Sequence, residues 1–205
     1  MKHYWVAKTQ FILASQSVIR LQMLSSAGLP AQACPSQVDE RAIANSHLKS
    51  GGDPAMTALK LAEAKALDVS RQRPGCHVLG ADQTLTMEGR EFHKVTSLSE
   101  AAQQLETLSG RTHVLTSAAA LALDGQIVIR ETARAEMTMR QLSQEFIRLY
   151  LDNAGEQILG SVGCYQIEGN GVQLFQRIKG DQFTIMGLPL LQLLQAMRLS
   201  NIIAS

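Results

Sequence analysis

One aspartate, Asp82, ends an apolar run and is the first residue whose position suggests chemistry. It closes the strand-like segment HVLGAD, residues 77–82. In open α/β sheets, ligands bind just beyond the carboxyl ends of strands, where a carboxylate can hold a metal ion or orient a water molecule. An aspartate that only shapes a turn or caps a helix fits the same pattern, so Asp82 alone leaves both interpretations open.

A second candidate site lies near the N-terminus, where a predicted strand leads into a predicted helix. The strand covers residues 11–14, Ser15 and Ser17 form the turn, and Arg20 falls in the first turns of the helix. Backbone N–H groups at the start of a helix bind anions, and an arginine beside them can grip a phosphate. The alternative is that Ser17 merely caps the helix.

Four further charged residues are weak candidates when each is considered alone. Lys65 lies inside a predicted helix and Lys94 in a predicted loop, where most lysines are solvated. Glu40 has the pattern of an ordinary surface charge. Glycines surround Glu168, and they permit a ligand to approach the backbone closely, although turns explain them equally well.

The elements that must position these residues follow from periodicity and capping signals. Strands and helices alternate early in the chain, and a long antiparallel pair follows, so we predict an α/β domain with a mixed sheet elongated by that pair. A single domain over residues 1–205 fits the length. The predicted elements are a strand at 11–14, a helix from Ser17 to Gly28, a helix from Asp53-Pro54 to about Gln72, a strand at 77–82 that Thr84 to Met87 can continue, a helix from Ser97 to Gly110, a hairpin of 112–123 and 126–139 around Asp124-Gly125, a helix from Ser143 to Gly155, short strands within 160–187, and a helix after Pro189.

Composition narrows the class of protein. The formal net charge is +1, and a polymer-binding surface for nucleic acid would normally need a basic excess. The three cysteines form no C-x-x-C pair, so neither a zinc site nor a disulfide framework is indicated. No apolar run reaches the length of a signal peptide or of a membrane helix, which needs about 18 residues. We therefore expect a reduced, cytosolic protein that binds no membrane.

Seven segments, in order along the chain, together resemble the Maf family of nucleotide pyrophosphatases, also described as septum-formation inhibitor proteins. The first, FILASQSVIRLQML, is similar to the family's opening L-I-L-A-S-x-S-P-R-R-x-x-L-L. The blocks span residues 11 to about 198 and occur in the family's order. The other six are VDE at 38–40, LAEAKA at 61–66, GAD at 80–82, LSGRTH at 108–113, GCYQIEG at 163–169 and IMGLPL at 185–190.

The resemblance implies a fold and a reaction. The fold would be a mixed sheet flanked by helices, with two lobes around a nucleotide cleft. The reaction would convert a nucleoside triphosphate to a monophosphate and pyrophosphate with Mg²⁺ or Mn²⁺, and homodimers occur in the family. The implied roles are catalysis for Asp82, Lys65 and Lys94, metal binding for Glu40 and Asp82, and substrate binding for Ser15, Ser17, Arg20, Gln83 and Glu168.

The sequence departs from the family pattern at several positions. Val18 and Ile19 replace a proline and an arginine, and Val95 replaces the proline after Lys94. The family commonly has D-K-A-G where this chain has GSVG, at residues 160–163. The chain therefore lacks an acid and a phosphate-binding lysine of the family pattern. Arg177 or Lys179 are candidate replacements for the lost lysine.

Two positions bear on the choice of base. Gln83 and Glu168 resemble the branch that acts on 7-methyl-GTP, whereas the dTTP/UTP branch commonly has threonine and glutamine there. A carboxylate accepts hydrogen bonds from the N1–H and amino group of guanine, so we expect a purine or a modified purine.

Two other functions remain open from the sequence. Because of the lost lysine, the chain could be a non-catalytic nucleotide-binding or regulatory protein on the same fold. An RNA-binding module is the third alternative, and it requires a salt-sensitive affinity for polynucleotide that the near-neutral charge disfavours.

Overall fold

The computed structural model describes residues 4–53 and 56–205. It is an α/β protein with a mixed seven-stranded sheet flanked by helices, which confirms the predicted fold class. The strands are β1 (Phe11–Leu13), β2 (Ala31–Ala33), β3 (His77–Met87), β4 (Arg90–Phe92), β5 (Thr112–Leu123), β6 (Gln126–Met139) and β7 (Phe175–Lys179). The helices are α1 (Val18–Ser26), α2 (Glu40–Lys49), α3 (Thr57–Gln72), α4 (Leu98–Leu108), α5 (Gln144–Ala154), α6 (Gln182–Ile185) and α7 (Leu190–Leu199).

The strand order in the sheet is β2-β1-β3-β5-β6-β7, and β4 pairs with β3 off this path. Strand β1 is parallel to both β2 and β3, with Leu13 opposite Ala33 on one side and Leu79 on the other. Antiparallel pairing joins β3 to β4 and β6 to β7. Parallel strands buried on both faces require an almost continuous apolar sequence, as in Phe11–Leu13.

The chain divides into two compact units. The first unit comprises Met1–Gln83, Ser117–Ala133 and Gly187–Ser205, and the second comprises Thr84–Thr116 and Arg134–Met186. Strands β3, β5 and β6 each belong partly to one unit and partly to the other.

Small side chains dominate one core cluster of the first unit. Helix α3 places Ala58, Ala62 and Ala66 against alanines of β5, all fully buried. Strand β3 approaches the same helix at Gly80, where an added Cβ would lie 2.0 Å from Ala62 O and 2.7 Å from Ala66 N. Only glycine fits this contact, which sets the position of β3 on α3.

The second unit has a larger core formed by α4, α5, β6 and the segments around them. Leu105 and Leu108 of α4, Ile147 of α5 and Met137 of β6 are almost completely buried in it. His113 lies in this core with its Nε2 2.7 Å from the Tyr165 hydroxyl. No helix among residues 4–53 and 56–205 is long and apolar enough to cross a membrane.

Most predicted elements are confirmed. The Asp124-Gly125 hairpin joins β5 to β6 at the predicted bounds, and both turn residues have positive φ, 49° and 73°, as a type I′ turn requires. Ser17, Ser97 and Ser143 cap α1, α4 and α5, each accepting from the backbone N–H three residues on.

Two predictions about elements were wrong in detail. Helix α3 has Met56 as its N-cap, not Asp53, and Met56 N donates to Asp53 O at 2.8 Å; Pro54 lies outside the described residues. Between 160 and 187 only β7 is a strand; Asn170–Leu174 is a 3-10 helix, α6 covers Gln182–Ile185, and 161–169 is turn or irregular backbone. Strand β3 continues to Met87, as the predicted extension through Thr84 to Met87 allows, so Asp82 lies within the strand.

Candidate active site

A lysine between two carboxylates forms the centre of the candidate site. Lys65 Nζ lies 2.6 Å from Asp82 Oδ1 and 2.9 Å from Glu40 Oε1. Three elements of the first unit supply these side chains: α3 carries Lys65, β3 carries Asp82, and Glu40 is the first residue of α2. The structure therefore brings together Glu40, Lys65 and Asp82, three of the residues for which the resemblance implies catalysis or metal binding.

Local structure explains how each of the three is positioned. The pairing of β3 with the parallel strand β1 ends at Leu79. Asp82, further along β3, therefore lies just beyond the carboxyl end of β1. This is the location at which open α/β sheets bind ligands. The Asp39 carboxylate caps α2 by accepting from Ala42 N, and this fixes the position of the neighbouring Glu40. Helix α2 packs against α3, which carries Lys65.

The three charges differ in their exposure to solvent. The side chains of Lys65 and Asp82 are only 7% and 12% exposed, whereas that of Glu40 is 55% exposed. Burial of a charged group is costly unless it is paired, and the Lys65–Asp82 contact supplies the pairing. Glu40 is the solvent-facing one of the two acids.

Arg20 lies beside this centre and is bound mainly to backbone. Its Nε donates to Gly187 O at 2.7 Å, and its Nη1 donates to Ala81 O at 3.0 Å and more weakly to Ser15 Oγ at 3.4 Å. An added Cβ at Gly187 would lie 3.2 Å from Arg20 Nη2. Arg20 thus links the turn after β1 to Ala81, the residue before Asp82, and so helps to hold Asp82 in place.

Burial and nearby acids act on Arg20 in opposite directions. Loss of hydration lowers the pKa of Arg20, while the charges of Asp82 and Glu40 raise it. An arginine remains protonated in proteins over the physiological range. Arg20 and Lys65 therefore place two positive charges beside two carboxylates.

Ser15 and Ser17 occupy the turn between β1 and α1. The Ser17 hydroxyl accepts from Arg20 N at 3.3 Å, and Ser17 N donates to Ser15 Oγ at 3.2 Å. The capping role that was considered for Ser17 is therefore present. Both residues are half-buried, and their contact with phosphate stays a prediction.

Three predicted site residues remain, Gln83, Lys94 and Glu168. Gln83 is half-buried, and its Nε2 donates to Ser117 Oγ at 3.1 Å in the first unit. Lys94 and Glu168 belong to the second unit, where Lys94 is exposed between β4 and α4 and Glu168 is exposed in a turn. Their roles in binding a nucleotide stay predictions.

The two cations considered as replacements for the missing lysine lie on β7, also in the second unit. Arg177 and Lys179 are exposed, and Lys179 Nζ is 3.4 Å from Glu136 Oε1. Lys179 is thus already paired with an acid on the neighbouring strand.

The acids of the site fit a divalent ion that brings further ligands of its own. Residues 4–53 and 56–205 contain no group of three or more His, Cys, Asp or Glu side chains that could hold a metal ion. Mg²⁺ at nucleotide sites is usually bound by one or two carboxylates together with phosphate and water oxygens. Glu40 and Asp82 would supply those two carboxylates, so the donor set fits a metal–nucleotide complex.

Sequence reasoning missed the two carbonyl groups that hold Arg20. Every residue has a carbonyl group, so no residue type marks Ala81 or Gly187 as a partner. The only available signal was the position of Gly187 in the segment IMGLPL.

Paired acids and cations at the carboxyl end of a parallel strand define a class of α/β protein suited to a metal-bound anionic ligand. Comparison with known proteins then gives the family. Residues 10–199 match the family described as Maf-like protein, and the chain belongs to this family.

Curated relatives cover nearly the whole chain. A protein of Mesorhizobium japonicum named 7-methyl-GTP pyrophosphatase is 51% identical over 92% of this chain and 95% of its own length. One of Rhodopseudomonas palustris named nucleoside triphosphate pyrophosphatase is 49% identical over 98% of each chain. A 7-methyl-GTP pyrophosphatase of Rhizobium etli is 47% identical over 92% of this chain and 95% of its own.

Proposed function

We propose that the protein is a nucleoside triphosphate pyrophosphatase that hydrolyses the anhydride bond between the α- and β-phosphates of its substrate. The observation that carries the proposal is the contact of Lys65 Nζ with both Asp82 and Glu40. Membership in the Maf-like family and relatives named as pyrophosphatases support the same reaction.

The proposed mechanism depends mainly on positioning and electrostatics, as is usual for phosphoryl transfer. Asp82, at the buried end of the site, accepts the proton of the attacking water or helps to hold the metal ion. Glu40 is the second oxygen donor for Mg²⁺ or Mn²⁺, and when bound the ion polarises phosphate oxygens and offsets their charge. The products are a nucleoside monophosphate and pyrophosphate.

Cations of the chain would offset the negative charge on the leaving pyrophosphate. Lys65 is already inside the site, and Lys94 is the second lysine proposed for this role. Ser15, Ser17 and Arg20 would bind phosphate at the start of α1. Among the described residues, Nε and Nη1 of Arg20 donate within the protein, so the hydrogens of Nη2 would serve this purpose.

For the base, we propose 7-methyl-GTP as the preferred substrate. Gln83 and Glu168 are the residues expected to select it, and Glu168 carries a carboxylate suited to the N1–H and amino group of guanine. Two of the three relatives described above are named for this nucleotide.

A nucleotide panel tests both the reaction and the base. Purified protein is incubated with 7-methyl-GTP, GTP, ATP, dTTP and UTP in Mg²⁺ or Mn²⁺, and pyrophosphate and monophosphate are measured separately. We expect stoichiometric pyrophosphate and monophosphate, with the highest kcat/KM for 7-methyl-GTP. If nucleotide binds and is not turned over, the chain is instead a non-catalytic nucleotide-binding protein.

The homodimer and the cytosolic location expected from the sequence also stay predictions. Sedimentation velocity on the purified chain decides the first, and fractionation of cells that express the full chain decides the second.

A further inference from the structure

Lys65 occupies the space in which a metal ion would contact both carboxylates. Its Nζ lies 2.6 Å from Asp82 Oδ1 and 2.9 Å from Glu40 Oε1. A divalent ion bound to the same two oxygens, at about 2.1 Å from each, would come within a few ångströms of the ammonium group. Two positive centres at that separation in a poorly solvated site repel each other strongly.

Burial limits how far the Lys65 side chain can move when a metal ion approaches the two acids. The Lys65 side chain is 7% exposed, and it projects from the middle of α3, which is packed against β5 and β3. Leaving both acids for open solvent would also break the ion pair of Asp82, 12% exposed, and leave only the Arg20 charge near it. The lysine therefore needs another anion nearby before the metal ion can take its place.

A triphosphate supplies that anion. Its oxygens carry negative charge that can pair with the ammonium group, while the two carboxylates turn to the metal ion that accompanies the nucleotide. Each acid then keeps a positive partner, because the metal ion takes the place of the ammonium group.

We propose that Lys65 is a built-in cation that holds Glu40 and Asp82 together in the nucleotide-free protein, and that a divalent metal ion binds well only together with the nucleotide. The inference rests on the proposed function, since it assigns Glu40 and Asp82 to the metal. It predicts coupled binding, in which metal and nucleotide each strengthen the binding of the other by the same factor.

Binding of Mn²⁺ without nucleotide tests the inference directly. Free Mn²⁺ is followed by its electron paramagnetic resonance signal during titration with the wild type and with Lys65→Met, which keeps an unbranched side chain, one atom shorter, and removes its charge. We expect Lys65→Met to bind Mn²⁺ at least tenfold more tightly than the wild type. Equal affinities, or weaker binding by the variant, would overturn the inference.

A matched control lies on the same helix. Lys60 is also ion-paired with a carboxylate, Glu63, at 3.1 Å, but its side chain is 50% exposed. Lys60→Met should bind Mn²⁺ as the wild type does. If Lys60→Met gains as much affinity as Lys65→Met, the effect is one of overall charge and the inference is overturned.

A second measurement needs no variant and so does not depend on how Lys65→Met folds. The wild type is titrated with Mn²⁺ in the presence of a GTP analogue with a methylene group between the α- and β-phosphates, and binding to the free analogue is subtracted. The analogue should strengthen Mn²⁺ binding by at least tenfold. Tight Mn²⁺ binding without the analogue, unchanged when it is added, would overturn the inference.

These outcomes differ from a failure of the proposed function. If the wild type turns over nucleotides yet binds Mn²⁺ tightly alone, only the role of Lys65 is wrong. If Lys65→Met gains Mn²⁺ affinity as expected while no nucleotide is hydrolysed by the wild type, the proposed reaction is wrong and the role of Lys65 stands.

Discussion

Asp82 combines two properties that the proposed hydrolysis needs, a negative charge and burial next to a cation. In Asp82→Asn the side chain keeps its shape, but the neutral amide cannot accept a proton from water and offers a metal ion no negative charge. We expect turnover of 7-methyl-GTP to fall at least about 100-fold, or roughly 3 kcal/mol of transition-state stabilisation. Pyrophosphate release at saturating substrate measures the loss.

Folding should survive this change, because Lys65 keeps its second partner, Glu40. A circular dichroism melting curve checks this. Asp68→Asn is the matched control: Asp68 lies on α3 and accepts from Gln37 N at 3.0 Å, so it affects the first unit without touching Lys65. Near-normal turnover in Asp82→Asn would remove Asp82 from its proposed role.

His113 should make the stability of the protein depend on pH. It is completely buried, and loss of hydration lowers its pKa to about 4, whereas an unfolded histidine titrates near pH 6.5. Between these values the unfolded chain binds a proton that the folded chain does not. Stability is therefore complete above about pH 6.5 and decreases as the pH falls, by roughly 3 kcal/mol at pH 4.

Urea unfolding from about pH 7 to about pH 4.5 measures this dependence. The wild type should lose more free energy of unfolding over that interval than His113→Gln, which has no imidazole to protonate. His93→Gln is the control, since the His93 side chain is 74% exposed, and its curve should follow the wild type. Equal losses in the wild type and in His113→Gln would contradict the prediction.

At the scale of elements, β3 can approach α3 closely because residue 80 is a glycine and has no Cβ. An alanine Cβ at position 80 would lie 2.0 Å from Ala62 O and 2.7 Å from Ala66 N, both backbone atoms that cannot rotate away. We expect Gly80→Ala to lower the free energy of unfolding by about 3 kcal/mol or more. It should also lower the turnover rate of the nucleotide, since Asp82 lies on β3 and Lys65 on α3.

Gly160→Ala is the control for this substitution, because nothing lies within 4 Å of the added Cβ and the backbone has no left-handed conformation there. Its free energy of unfolding should stay within about 0.5 kcal/mol of the wild type. If Gly80→Ala is as stable as Gly160→Ala, the packing of β3 on α3 is looser than the structure indicates.

Elements with strong local signals could be predicted from the sequence. The Asp124-Gly125 turn and the serine caps of α1, α4 and α5 depend on residues within a few positions of each other. By contrast, α2 has no buried residue, so it leaves no apolar periodicity, and β2 and β4 are three residues each. The start of α3 was misplaced because Thr57 and Ala58 are fixed by burial in the core, which no capping signal records.

At the scale of the whole molecule, the candidate site depends on contacts between distant parts of the chain. Asp82 and Lys65 meet only because β3 packs on α3, and no spacing rule predicts that contact. The resemblance to a family supplied the identities of these residues, and the structure added their distances. It also showed what the resemblance did not indicate, namely that the lysine lies between the two acids and that backbone carbonyls hold Arg20.

The prediction of a single domain over residues 1–205 also belongs to this scale. The chain forms two compact units, yet β3, β5 and β6 run from one unit into the other without a linker. Unfolding either unit would break strands that the other unit uses. We therefore expect both units to unfold in one cooperative transition with urea.

Two residues report on the units separately. Trp5, the sole tryptophan, stacks on Phe11 in the first unit, and Cys164 is completely buried in the second. With Cys34 and Cys76 replaced by serine, short pulses of a thiol reagent label only Cys164, while fluorescence follows Trp5. The two midpoints should coincide, because the shared strands make loss of either core a loss of both. Labelling of Cys164 at urea concentrations that leave Trp5 emission native would instead establish two independently folding domains.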